Sequence, residues 1–372
     1  MSVLLAVARL VLVGLFAAVS TAAHAQTPGS WQEVAGAVLS PNPGLSYMAE
    51  SVSSPTVMYD ANRNRFMMIF EAKTNNHDAR CPQGVWALGF ATSPDGVTWT
   101  PRSTPLVNPQ PGNGRFYSCA LSHPTAVYNP TAYGGNGVIT LFAKGEQDTD
   151  ACAVTTPSWG CDQITGIGWL QIYLDAGGSP SVVAARSTPV LDPPPAAGAP
   201  AYYGYPKVVR KGGVYRVLYQ VYPDIWSAYT GNLTNFPDNQ QRLEIAKNDV
   251  KLVIPWVRNE LFNPSLVCDD AVGMSYAGFI GGRLTNATGV VSGGWGKAVT
   301  NTFGTGATFA LDATAQVEFT GDDTWRHWDV HKLTTGDYLV WFDEKTASGN
   351  IIRFGGTTLT FNNADVVSKT CP

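Results

Sequence analysis

Carboxylates carry most of the chemistry that this sequence can offer. Glu71 closes the aromatic-rich stretch Arg65 to Glu71, Glu344 follows the strand-like run Tyr338 to Phe342, and Glu50, Glu260 and Asp329 stand beside similar segments. A carboxyl that emerges from a core at the mouth of a cleft is partly buried. Burial raises its pKa toward proton donation, while a second, ionised carboxylate accepts a proton. Each candidate also has a plainer role in a salt bridge: Glu71 with Lys73, Glu146 with Lys144, Glu344 with Lys345. His123, His327 and His331 could contact ligand hydroxyls or help to hold a central cation, calcium included, although satisfied structural histidines are commoner. Cys and His show no zinc-ligand spacing, and the chain has no nucleotide loop, zinc-protease helix or serine elbow.

These residues are set in a repeat. Ser54-Pro55-Thr56-Val57-Met58-Tyr59-Asp60 passes through a turn into Arg65 to Glu71, and His123-Pro124-Thr125-Ala126-Val127-Tyr128-Asn129 leads to Val138 to Phe142 and on to Glu146. Tyr205-Pro206-Lys207-Val208-Val209 and Asn263-Pro264-Ser265-Leu266-Val267 open two further copies, and Trp328-Asp329-Val330-His331 a degenerate fifth, in which Asp329 is expected at the Pro position. The copies start near residues 54, 123, 205, 263 and 328. They lie roughly 60 to 80 residues apart, room for four short strands with loops. Arg102-Ser103-Thr104-Pro105-Leu106-Val107-Asn108-Pro109 is echoed by Arg186-Ser187-Thr188-Pro189-Val190-Leu191-Asp192-Pro193. A β-sandwich also alternates strands and turns, but it gives no reason for five similar units. The expectation is all-β, a five-bladed β-propeller.

Composition agrees with that expectation. Charged residues make up 14 % of the chain, while Gly and Pro number 38 and 25, which suits short strands and tight turns. A net charge of −4 and the lack of a basic run argue against nucleic acid as a partner. Arg9, the apolar run Leu10 to Val19 and Ala23-His24-Ala25 read as a signal peptide over residues 1–25, with one domain over 26–372 starting at Gln26. Secretion or a periplasmic location is expected, with no membrane span and a monomer. Six cysteines in an oxidising compartment suggest three disulfides, with Cys152–Cys161, Cys268–Cys371 and Cys81–Cys119 the favoured pairing. Asn232-Leu233-Thr234 and Asn286-Ala287-Thr288 match the N-glycosylation pattern, which matters only in a eukaryotic source.

The x-Pro-Thr-x-Val-Tyr-Asp hairpin, together with Ala91-Thr92-Ser93-Pro94-Asp95-Gly96-Val97-Thr98-Trp99, resembles the five-bladed propeller glycosidases, the superfamily of arabinanases, β-xylosidases, invertases and levansucrases. The resemblance spans nearly all of the chain after residue 25. It implies a substrate funnel at the axis, where first strands begin and second strands end, and two carboxylates that protonate the leaving oxygen and activate water. Inversion places such groups about 6.5 to 9.5 Å apart. Those enzymes keep an Asp before Pro in blades one and three and a Glu near the start of blade four. Here Ser54, Tyr205 and Asn263 precede the Pro. The resemblance therefore implies a glycoside hydrolase acting on a furanose-containing or related polysaccharide, with two working carboxylates drawn from Glu50, Glu71, Glu260, Asp329 and Glu344. Ser54, His123, Glu146, Tyr205, Asn263 and Trp328 would contact the sugar, and Trp226 could add an apolar platform; Asp224 and Asp343 also close second strands. The alternative is a carbohydrate-binding propeller without catalysis, whose carboxylates would be tied up in salt bridges. No cofactor is required.

Overall fold

The computed structural model describes residues 31–148, 165–191, 203–233, 236, 241–245, 260–268, 276–285, 291–300, 310–311, 317–320 and 327–371. The expected leader, the pair Cys152–Cys161 and Asn286 lie outside the described residues. From Trp31 to Pro372 the chain forms one compact unit.

Its elements are almost all strands. They are β1 (Gln32–Glu33), β2 (Ser51–Asp60), β3 (Arg65–Lys73), β4 (Trp86–Ser93), β5 (Thr100–Pro101), β6 (Ala120–Asn129), β7 (Val138–Glu146), β8 (Thr165–Leu174), β9 (Pro180–Ala185), β10 (Tyr203–Lys211) and β11 (Val214–Val221). There follow β12 (Asp224–Thr230), β13 (Arg242–Ile245), β14 (Glu260–Cys268), β15 (Tyr276–Thr285), β16 (Val291–Thr300), β17 (Ala310–Leu311), β18 (Val317–Thr320), β19 (Trp328–Lys332), β20 (Tyr338–Thr346), β21 (Gly349–Gly356) and β22 (Thr370–Cys371). Consecutive strands pair antiparallel in meanders, β2-β3-β4-β5, β6-β7-β8-β9, β10-β11-β12-β13, β14-β15-β16 with β17 and β18, and β19-β20-β21. The first two meanders are joined by a single parallel pairing, Trp86 with Ala120. The outer strand of the last meander comes from the other end of the chain, since Gln32 and Glu33 pair with Gly356 and Gly355.

Strand periodicity explains how the meanders stack. Successive side chains of a strand point to opposite faces. Along β3, Phe66, Met68 and Phe70 therefore pack on Leu339, Trp341, Ile352 and Phe354 of the last meander, while Met67 and Ile69 pack on Leu121, Ile139 and Leu141 of the second. Val127, Phe142 and Trp169 meet Val208, Val217 and Tyr219 of the third, and Val267 meets Trp328, Val330 and Val340. A strand covered on both faces must be a nearly continuous apolar run, and Phe66 to Phe70 is one.

The Ser-Pro-Asp-Gly-x-x-Trp turn ties neighbouring meanders. Asp95 Oδ1 accepts the N–H groups of Val97 (2.9 Å) and Thr98 (2.7 Å), and Gly96 takes a φ of 76° that suits a residue without Cβ. The Gly96 carbonyl then accepts both Trp99 Nε1 (2.9 Å) and Trp341 Nε1 (2.8 Å), the second from the last meander.

Cys81–Cys119 and Cys268–Cys371 are both bonded. The second crosses 103 residues and clamps β22, which pairs parallel with Arg210 and Lys211 of β10. A bridge closing so long a loop removes much chain entropy from the unfolded state, so Cys371→Ser is expected to cost about 2–5 kcal/mol in urea unfolding. A loss below about 1 kcal/mol would show that the β22 pairing holds the terminus unaided. Among the described residues no helix is long and apolar enough to cross a membrane.

Candidate active site

Pro55, Pro124, Pro206 and Pro264 have no N–H to give to a ladder, so each inner strand bulges there. The register shifts fall between Ser53 and Thr56, Ser122 and Thr125, Gly204 and Lys207, and Phe262 and Ser265. The residue before each Pro enters the left-handed region: Ser54, His123, Tyr205 and Asn263 have φ of 48°, 50°, 51° and 44°. Such a conformation costs a non-glycine residue about 1–3 kcal/mol and persists only where its surroundings over-determine it. Here they do. Ser54 N–H donates to Asp343 Oδ2 (3.1 Å), Ser54 Oγ donates to Glu71 Oε2 (2.7 Å), His123 N–H donates to the same Glu71 oxygen (3.3 Å), and Tyr205 N–H donates to His123 Nδ1 (3.5 Å).

In the first two copies the residue after the Pro links one inner strand to the next, and in the last Asp329 does so. Thr56 Oγ1 accepts Ala126 N–H (3.2 Å), Thr125 Oγ1 accepts Val208 N–H (3.0 Å), and Asp329 Oδ2 accepts Val57 N–H (2.7 Å). Asp329 also pairs with Trp341 as Thr56 pairs with Ile69 and Thr125 with Phe142. Asp329 thus takes the place of the Thr and not of the Pro, which corrects the sequence expectation by one residue. Trp328 stands in for the Pro, and His327 joins Ser54, His123, Tyr205 and Asn263.

Counting two residues on from the partner of that Thr, the second strands place Glu71, Lys144, Gln220, Gly281 and Asp343 in a matching layer. The two layers touch. The His123 ring stacks on Tyr205 (4.4 Å between centroids) and on His327 (4.6 Å). His327 Nδ1 lies 2.6 Å from Asp343 Oδ2, and its N–H donates to Asp343 Oδ1 (2.9 Å).

Electrostatics single out Glu71. Its carboxyl is 7 % exposed, and burial raises its pKa from 4.5 to about 7; His327 and the donors Ser54 and His123 pull it back, while the Glu146 charge pushes it higher. Asp343 is the opposite case. Burial works to raise it, but the His327 ring and two backbone N–H donors hold it below the usual carboxylate range.

Buried polar atoms nearly always find partners. Several in or beside these layers have none among the described residues: both amide atoms of Asn263, which is fully buried, Gln220 Oε1, Ser122 Oγ and His327 Nε2. A polyhydroxylated ligand offers the donors and acceptors that such atoms need. Among the described residues no three His, Cys, Asp or Glu are placed to hold a metal ion.

The remaining sequence candidates lie elsewhere. Glu50 sits at the rim of the first hairpin, with Lys73 Nζ at 3.3 Å and His77 Nε2 at 3.0 Å. Glu344 pairs with Arg353 (2.9 Å), not with Lys345, because strand alternation turns it away from the face that Asp343 occupies. Glu146 pairs with Lys144 (3.0 Å), as the sequence allows. Asp329 lies two residues beyond His327 along the inner strand, gripped by Lys369 at 2.5 Å and approached by His331 Nε2 at 3.5 Å. Trp328 is enclosed with Val330 and Val267, and Trp226 packs against the Val208 and Tyr219 cluster, so neither presents an open platform. Asp224 opens β12, and the backbone of Glu260 pairs with Arg283; nothing further is described for the Glu260 side chain.

No family model and no curated protein matches the sequence. The structure does match solved ones. A structure reported for the GH130 family of mannoside phosphorylases, with hydrolases that target β-1,2 mannosidic linkages in Candida mannan, is 11 % identical with a TM-score of 0.58, covering 89 % of this chain and 95 % of that one. A glycosyl hydrolase from Bacteroides ovatus is 9 % identical at a TM-score of 0.55, covering 91 % and 96 %. Sucrose-6-phosphate hydrolase from Lactobacillus gasseri is 12 % identical at 0.52, covering 87 % of this chain and 58 % of its own. This is the fold of the β-propeller glycosidases. Within the propeller, sequence reasoning overlooked Lys144 and Gln220 as site residues and left the place of His327 undefined. Aligning the second strands of the repeats, in addition to the x-Pro first strands, would have brought Glu71, Lys144, Gln220 and Asp343 to one position.

Proposed function

We propose that the chain is an exported, five-bladed propeller glycoside hydrolase acting on a furanose-containing or related polysaccharide, with Glu71 as the proton donor. The observation that carries this reading is a buried carboxyl, raised to about 7, at the place where inner strands from several meanders converge. Protonated near neutral pH, Glu71 can give its proton to a departing glycosidic oxygen. Glu146 is the carboxylate nearest in effect, since its charge acts on Glu71. The five meanders and the order in which their faces pack support five blades. The apolar head of the sequence and two disulfides support export. A binding propeller without catalysis has its own support, in the His123, Tyr205 and His327 stack and in the pairing of Glu50, Glu344 and Asp329 with cations.

Incubating the protein over residues 26–372 with arabinan, fructan, xylan and β-1,2-mannan separates the two readings. Reducing sugar released from at least one polymer is expected. Retention on an immobilised polymer without any release would establish the binding reading instead.

A further inference from the structure

The first strand of the last meander brings a group to the site that differs in kind from every carboxylate considered above. His327 occupies the position that Ser54, His123, Tyr205 and Asn263 hold in the other copies. Its ring is fixed from behind by an acid: Asp343 accepts both its Nδ1–H (2.6 Å) and its backbone N–H (2.9 Å), and Ser54 N–H (3.1 Å) completes the set around that carboxylate. A carboxylate on Nδ1 places the ring proton there and leaves Nε2 with a free lone pair. Nε2 is buried and has no partner among the described residues. The ring face is packed against His123 and Tyr205, so it cannot swing to find one. Ser54 joins the two halves of the arrangement, with its hydroxyl on Glu71 and its N–H on Asp343.

Resting on the hydrolase reading, we propose that His327, held by Asp343, is the general base that activates water opposite Glu71. Water attacks the anomeric carbon as its proton passes to His327 Nε2. The new C–O bond forms while the glycosidic C–O bond breaks, and the departing oxygen keeps that electron pair and takes the proton of Glu71. Glu71 is left as a carboxylate, and the His327 ring carries a proton on both nitrogens. Their mutual attraction stabilises that product state, and proton return through water restores the start. This arrangement makes up for carboxylates that are missing before the Pro in the first and third copies, where Ser54 and Tyr205 stand. Asp343 is a positioning residue.

The test uses the same protein and whichever polymer it cleaves. His327→Ala should lower kcat about 10³-fold, within the usual contribution of a general base, with KM little changed. Added imidazole should restore part of the lost rate in His327→Ala and none in Glu71→Gln. Asp343→Asn should slow turnover, because an amide no longer fixes the ring proton on Nδ1, and a melting curve for His327→Gln checks that the fold survives. A His327→Ala rate within about tenfold of the unsubstituted protein, or a loss that imidazole leaves untouched, overturns the assignment while the hydrolase reading stands. If the unsubstituted protein cleaves no polymer, the hydrolase reading fails and the assignment fails with it.

Discussion

Glu71→Gln is expected to lower kcat about 10³-fold and to erase the alkaline limb of the pH profile, with KM changed by less than about threefold. Gln keeps the shape and can still meet Ser54 and the His123 N–H side, but it carries no proton to donate. With the carboxyl titrating near 7, the unsubstituted protein should lose rate as pH rises through that value. The same shift predicts an effect on stability that does not depend on any substrate. The folded pKa lies above the ordinary 4.5, so between 4.5 and about 7 the folded protein holds a proton that the unfolded chain has released. Stability therefore falls as pH rises across that window, by at most about 3 kcal/mol, because each pKa unit is worth about 1.4 kcal/mol. His327, Ser54, His123 and Glu146 all face the group and are already included in its shift. Urea unfolding should find Glu71→Gln more stable than the parent at pH 8 and nearly equal to it at pH 4. Equal stability at both values would mean that the carboxyl is not buried as described.

The second large effect lies two residues along the inner strand from His327. Lys369 reaches in from the C-terminal segment and places Nζ 2.5 Å from both oxygens of Asp329. Asp329 is fully buried; burial works to raise it, but Lys369, His331 and Lys207 outweigh that and hold it below the usual range. Lys207, lowered to about 8 by burial and by the neighbouring Lys369, donates instead to the Trp328 carbonyl at 2.7 Å. Removing one partner of a buried ion pair leaves an uncompensated charge, which costs about 3–5 kcal/mol. Lys369→Met should lose that much in urea unfolding. The double variant Lys369→Met with Asp329→Asn should recover part of the loss, since no naked charge remains. If the single and double variants lose the same amount, the pairing is not what holds Asp329.

Strand alternation, the x-Pro hairpins and the Ser-Pro-Asp-Gly-x-x-Trp turn are local properties, which is why the sequence was enough to call for repeated antiparallel meanders. The same local logic brought Glu71 out at the end of its strand, and it named Cys81–Cys119 and Cys268–Cys371. Partner and direction are different matters. Asp343 and Glu344 are adjacent, and only the packing of the last meander on the first decides that Asp343 turns toward Ser54 and Glu344 toward Arg353. Asp329 acquires its role from Val57 and Lys369, and His327 from Asp343, Tyr205 and His123. Most of these partners lie far off along the chain, so no spacing rule connects them. The sequence by itself determined the repeated antiparallel meanders and the carboxyl that leaves the first hairpin. Which side chains gather around it was decided by tertiary structure, because a site built where separate meanders converge is made of contacts that no single segment contains.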